Sequence, residues 1–195
     1  MESSCVNLAG WLVGYFALHS LMAATAVKGW LGRWLTSQQH RLLFNTSALL
    51  MLVPVVYAYY QCQQPPLWQS SLLQRIVGAL LFVSGAALLW RAFRPYDTAA
   101  FLGLKKEHYN ELVIQGMGRY MRHPLYSASF LLLWGLPLWL PTLAHGLIAV
   151  IGSIYLLIGT YWEEQKLLRE FGAAYQQYKR EVPRFWPILF RKQKK

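Results

Sequence analysis

The stretch PLYSASFLLLWGLPLWL at 124–140, the short break PTL at 141–143 and the stretch AHGLIAVIGSIYLLIGTYW at 144–162 decide the fold. Neither apolar run carries a charge. Each comes close to the ~20 apolar residues a helix needs to cross a bilayer core. With Pro141-Thr142-Leu143 between them, they read as a tight helical hairpin. Working outward, three more runs share this character, at 7–27, 42–60 and 72–93. Only the last holds charges, Arg75 and Arg91 near its two ends. Composition agrees, with 55% hydrophobic residues and 14% charged, where soluble domains carry about 25% charged. We expect an all-α polytopic integral membrane protein with five transmembrane helices. As one membrane domain it comprises three N-terminal spans (7–93), a cytoplasmic connector (94–123), the hairpin (124–162) and a tail (163–195). That tail combines an amphipathic helix with a basic C-terminus.

The charge balance is +11, from 19 Lys+Arg against 8 Asp+Glu. An excess of this size on a soluble face would suggest nucleic acid. Here the basic residues have membrane addresses. Lys28, Arg33 and Arg41 lie between spans one and two. Arg91, Arg94, Lys105, Lys106, Arg119 and Arg122 surround the connector, and nine more follow span five. The alternate loops are bare apart from Arg75. The positive-inside rule therefore predicts the N-terminus outside and the C-terminus in the cytoplasm, as an odd span count requires. No nucleic-acid partner is expected; the basic side faces anionic headgroups. Met1-Glu2 opens without a basic region, so a cleaved signal peptide is not expected. Cys5 and Cys62 fall at the outer ends of spans one and two. An oxidising compartment there permits a disulfide, a fraying terminus opposes one, and the sequence leaves the pair open.

The candidate chemistry sits at the cytoplasmic end of the hairpin. The residue before a proline avoids the helical region, and proline suits a first helical turn. So Arg122-His123 stand at the N-terminus of span four, which Pro124 opens. Free N–H groups and the helix dipole there favour an anion. Span five returns to the same depth and ends at Glu163-Glu164. Two carboxylates directly after an apolar span are costly, which makes function the default reading. At roughly 100° per residue, Glu164, Leu167, Leu168, Phe171, Tyr175, Tyr178 and Val182 share one stripe. Glu164 is near its centre and Glu163 at its border, provided Gly172 does not end the helix. An acid amid apolar and tyrosine side chains requires a partner or ligand. The plainer readings are an interfacial salt bridge for either acid and a topology anchor for Arg122. His19 reads as an interhelical hydrogen-bonding residue. His40, His108 and His145 lack the spacing of a metal site.

The run Gly116-Met-Gly118-Arg-Tyr120-Met-Arg122-His123-Pro124-Leu-Tyr126 is followed, after the hairpin, by Glu163-Glu164-x-x-Leu167. Phe171-Gly172-x-x-Tyr175-x-x-Tyr178 and Val182-Pro183 complete the set. It resembles the C-terminal core of the isoprenylcysteine carboxyl methyltransferase and phospholipid methyltransferase superfamily. The N-terminal half, with His19, Lys28, Arg41 and Asn45, is more similar to the small NnrU-type branch, whose relatives include a thiol methyltransferase. The resemblance implies an integral membrane enzyme using S-adenosylmethionine (SAM). It implies cofactor contacts from Gly116, Gly118, Tyr120, Arg122, His123, Pro124, Tyr126, Glu163, Glu164, Tyr175 and Tyr178. Arg122, His123 and Glu164 are the expected catalytic set, with no metal.

A carboxylate of SAM suits Arg122 and the span-four N-terminus. Its ammonium or ribose hydroxyls suit Glu163 or Glu164. Positioning and exclusion of water then supply much of the rate. The acceptor is left open among lipophilic or small thiols, amines and carboxylates, as is the oligomeric state. A multi-pass protein of the bacterial inner membrane is expected. Two competing readings are an NADPH-dependent reductase of the sterol-reductase type and a non-catalytic membrane protein keeping the fold. The reductases resemble a longer, roughly ten-span chain, and the Glu163-Glu164 pair fits the methyltransferases better.

Overall fold

The computed structural model describes residues 2–62, 65–95, 99, 104, 112 and 114–187. Among these, six α-helices and one short 3-10 turn occur and no strand. The helices are α1 (Glu2–Ala23), α2 (Thr25–Leu31), α3 (Ser37–Gln61), α4 (Leu72–Phe93), α5 (Pro124–Trp139) and α6 (Leu143–Glu181). The 3-10 turn is Gly116–Arg119. Four helices are long and apolar enough to cross a membrane: α1 from Ser3 onward, α3, α4 and α6. At 16 residues, α5 rises about 24 Å, short of the ~30 Å core. The 39-residue α6 is kinked at Gly172, where the backbone is non-helical. Its uncharged part ends at Trp162, so Glu163 and all that follows extend beyond the apolar span.

Local chemistry explains where the elements begin. Thr36 and Gln39 form a reciprocal capping box at the start of α3, and Ser71 and Gln74 form another at α4. Each satisfies backbone donors that a helix start leaves orphaned. The cap carries α3 back through a polar turn that the apolar count at 42–60 leaves out. Span one also departs from its sequence reading. Ala24 is extended (φ −63°, ψ 140°) and separates α1 from α2, although the apolar run continues to Val27.

The chain divides into two compact units, each described by itself. The first holds α1–α3 and the segment Leu140–Gly152. A disulfide joins Cys5 to Cys62, with their Cα atoms 4.8 Å apart. Around it Leu8, Leu12, Val55, Ala58 and Ala144 form a buried core. At the hairpin turn His145 is buried; its Nδ1 donates to the Leu140 carbonyl (2.8 Å) and its Nε2 accepts from the Tyr59 hydroxyl (3.1 Å).

The second unit holds α4, the 3-10 turn, α5 and α6 from Ser153 onward. Glycines let α4 and α5 approach closely. A Cβ on Gly78 would lie 2.6 Å from the Trp139 nitrogen, and one on Gly135 would lie 2.9 Å from the Gly78 carbonyl. Such small-residue contacts are the usual means of close helix packing in membranes.

Candidate functional site

In the second unit the polar ends of α5 and α6 come together around one carboxylate. Glu164 is almost fully enclosed (1% exposed), whereas the Glu163 side chain is 44% exposed. The stripe on α6 accounts for this difference. Tyr175, Tyr178 and Val182 form a buried cluster with Leu167, Leu168 and Phe171 against it. Gly172 interrupts the helix: its φ 51° and ψ −120° are non-helical, a conformation glycine adopts without the Cβ penalty, and a kink there separates two helical stretches. The single helical phase expected through Val182 therefore holds only up to Phe171, while Tyr175, Tyr178 and Val182 beyond the kink still pack with Leu167, Leu168 and Phe171.

Four basic side chains surround Glu164. Arg122 donates to Oε1 from Nη2 (2.7 Å) and Nε (3.1 Å). Arg184 donates to Oε2 from Nη2 (2.6 Å) and to Oε1 from Nε (3.2 Å). His123 Nε2 lies 3.2 Å from Oε1 and Lys179 Nζ 3.3 Å from Oε2. Burial alone would raise the Glu164 pKa. The hydrogen bonds from Arg184 and Arg122 outweigh it and hold the group below the usual carboxylate range. Glu164 in turn raises the Arg184 pKa. Burial lowers the His123 pKa, against opposing contributions from Glu163 and Glu164. Burial therefore biases His123 toward its neutral form. An ionised carboxylate only accepts, so Nε2 carries the imidazole proton. Nδ1 then holds a lone pair, 3.8 Å from Glu163 Oε2.

The remaining Arg122 donors fix the tail. Nη1 donates to the carbonyls of Lys179 (3.0 Å) and Val182. The backbone N–H groups of Arg122 and His123 donate to the carbonyls of Pro183 (2.9 Å) and Arg184 (3.0 Å). The Ser127 hydroxyl reaches the Phe185 carbonyl at 2.6 Å. Pro183 stops the helix, and the segment after it lies along the start of α5.

The other expected site residues gather at the same end. Gly116 has φ +52°, and the Gly118 carbonyl accepts from the Tyr178 hydroxyl at 2.6 Å. Tyr126 stands edge-on to His123, centroids 5.4 Å apart. Pro124 opens α5, as its position before an apolar run predicts. Tyr120 is largely exposed. Tyr175 is buried, its hydroxyl meets no hydrogen-bond partner within bonding distance among the described residues, and burial pushes its pKa up to about 12. The sequence reading missed Lys179 and Arg184 as partners of Glu164. Both stood among the tail basics and were read for topology alone.

Comparison with known proteins places this apolar helical core, with its charged cluster around Glu164, in a class of methyltransferases. The family model described as phospholipid methyltransferase matches residues 73–174, just over half of the chain. The chain belongs to the phospholipid methyltransferase family. It is 29% identical over 198 residues to methanethiol S-methyltransferase of Crocosphaera subtropica, covering 93% of this chain and 74% of that protein. It is 29% identical over 201 residues to methanethiol S-methyltransferase 2 of Bradyrhizobium diazoefficiens, covering 97% and 75%. Nurim of Rattus norvegicus is 25% identical over 177 residues, covering 80% and 66%. No solved structure matches the chain at a significant level.

Proposed function

We propose that this protein is a SAM-dependent thiol methyltransferase of the bacterial inner membrane, working at the cytoplasmic face on a small neutral thiol. The observation that carries the reading is the Glu164 cluster, where three cations and a histidine meet one buried carboxylate beside a second, half-exposed one. The methanethiol-methylating relatives, which match nearly the whole chain, direct the choice of acceptor.

The donor set fits SAM. Glu163 is a half-exposed carboxylate at the edge of the cluster, and a donor such as an α-ammonium satisfies it. Arg122, Lys179 and Arg184 outnumber Glu164, leaving positive charge for an α-carboxylate. The Tyr175 hydroxyl is a buried polar group that makes no hydrogen bond among the described residues, and such groups normally have a partner. When bound, SAM supplies an electrophilic methyl group.

The chain's own residues then have distinct tasks. Glu163 and the basic surplus hold the two charged ends of the cofactor's amino-acid moiety. Gly116, Gly118, Pro124, Tyr126 and Tyr178 shape the walls, with Tyr120 at the rim. Arg122 and Glu164 are positioning residues: their mutual bonds fix the 182–185 segment against α5 and hold the His123 tautomer. His123 accepts the thiol proton at Nδ1 once the acceptor arrives, and the surrounding cations favour the thiolate.

In this reading α5 is the fourth of five spans, with the N-terminus outside and the C-terminus in the cytoplasm. The distribution of basic loops supports that orientation, as does a disulfide at the outer ends of α1 and α3. Titration calorimetry of the purified full chain with SAM, S-adenosylhomocysteine and NADPH tests the proposal, together with headspace detection of dimethyl sulfide from methanethiol. SAM binding with product formation is expected. NADPH binding without SAM binding would replace the proposal with the reductase reading.

A further inference from the structure

A cleft of about 350 Å³ opens in the second unit beside the Glu164 cluster. Its walls include Leu81 of α4, Phe130 and Trp134 of α5, Leu157 of α6, and Phe185 from the tail. Ser127 supplies the hydroxyl of the lining, and that hydroxyl is already committed to the carbonyls of His123 (3.0 Å) and Phe185 (2.6 Å). No charged side chain lines the cleft among the described residues. Its polar end is well defined. Ser127 lies one turn from His123, and the Phe185 ring packs against His123 (centroids 6.1 Å) and Phe130 (5.4 Å).

We propose that this cleft is the acceptor site and admits, beyond methanethiol, neutral organic thiols with an alkyl or aryl group larger than methyl, the sulfur directed to the Ser127–His123 end. The proposal rests on the thiol methyltransferase reading and deepens it. Three observations carry it. The volume falls within the ~300–1,000 Å³ of small-molecule sites, and a one-carbon thiol would leave most of it unfilled. The lining offers nothing to a phosphate or ammonium headgroup, whose burial there would leave a charge unpaired. The one end with titratable chemistry is the Ser127–Phe185 end, where both lining residues contact His123, the group to which a thiol would lose its proton in the thiol methyltransferase reading.

Apolar burial gives the proposal a measurable slope. Each methylene placed in the cleft is worth about 0.8 kcal/mol, or roughly fourfold in affinity. The test uses alkyl methyl sulfides from methyl to hexyl, the product class, titrated calorimetrically into the full chain in nanodiscs with no cofactor present. Leu81→Trp and Leu157→Trp, which fill the cleft from opposite walls, are titrated beside the wild type. Comparing chain-length slopes between proteins cancels partition of the sulfides into lipid. We expect Kd to fall about fourfold per methylene in the wild type until the cleft is full, with the slope flattened in at least one variant. A Kd independent of chain length in the wild type would overturn the proposal, as would an unchanged slope in two variants that still bind SAM. The latter result would assign the sulfides to lipid-facing surface. If the sulfides bind with the expected slope but SAM does not bind and no thiol is methylated, the cleft assignment stands and the methyltransferase reading falls.

Discussion

Glu163 and Glu164 are adjacent in sequence and opposite in circumstance, and their substitution should separate fold from cofactor binding. Glu164 is enclosed by Arg122, Arg184, His123 and Lys179. Removing one partner of a fully enclosed ion pair costs about 3–5 kcal/mol, because the other charge stays buried. Arg184 and Lys179 keep some solvent contact (35% and 40% exposed), so roughly 2–3 kcal/mol is the fairer figure for Glu164→Gln. Thermal unfolding in detergent should show a clear fall in Tm for Glu164→Gln and none for Glu163→Gln. Calorimetry should then show Glu163→Gln binding SAM about tenfold more weakly, the equivalent of ~1.4 kcal/mol. An unchanged Tm for Glu164→Gln would remove its role as the structural anchor. Helical phase up to the kink at Gly172 distinguished the two acids, since roughly 100° per residue puts Glu164 on the face of Leu167, Leu168 and Phe171 and Glu163 at its border. Phase says nothing of Arg184. Beyond Pro183 the chain has no period, and its contact with Arg122 and His123 depends on backbone pairing that any side chains could accompany.

The elements repeat this contrast between pattern and contact. The apolar run at 72–93 coincides with α4 (Leu72–Phe93), because a capping box and a change of composition fall together there. In span one the composition stays apolar through Ala24, so nothing in the sequence marks the break between α1 and α2. Packing of α4 on α5 is likewise silent in a hydropathy count, which scores Gly78 and Gly135 as merely weak apolar positions. Their importance lies in backbone atoms that a Cβ would strike. Gly135→Ala places that atom 2.9 Å from both the Gly78 carbonyl and the Phe82 nitrogen, and neither can rotate aside. A loss of about 1–3 kcal/mol is expected from such overpacking. Gly146→Ala, in the same chain and with nothing within 4 Å of the new Cβ, is the control. It should match or exceed wild-type stability, since alanine favours a helix by up to ~1 kcal/mol. Equal Tm values for the two variants would mean that α4 and α5 do not pack through these glycines.

At the scale of the whole molecule, the charge excess and the disulfide make one joint prediction about which side of the membrane each end occupies. Apart from Arg75, the basic residues behind the +11 balance fall in alternate loops, which the positive-inside rule predicts to be cytoplasmic. Cys5 and Cys62 lie at the opposite ends of their helices, and a disulfide persists there only in an oxidising compartment. Two independent kinds of chemistry, electrostatic and redox, therefore predict the same orientation. A green fluorescent protein fused to the C-terminus should fluoresce, and alkaline phosphatase fused after Leu67 should be active. Thiol labelling of unreduced, denatured protein should find no free cysteine, and Cys5→Ser should reveal one. An inverted fusion pattern with two free thiols would place the Glu164 cluster outside the cell, away from cytoplasmic SAM. The enzymatic reading would then fail together with the topology, because the same basic residues that set the orientation also surround the carboxylate on which the site is built.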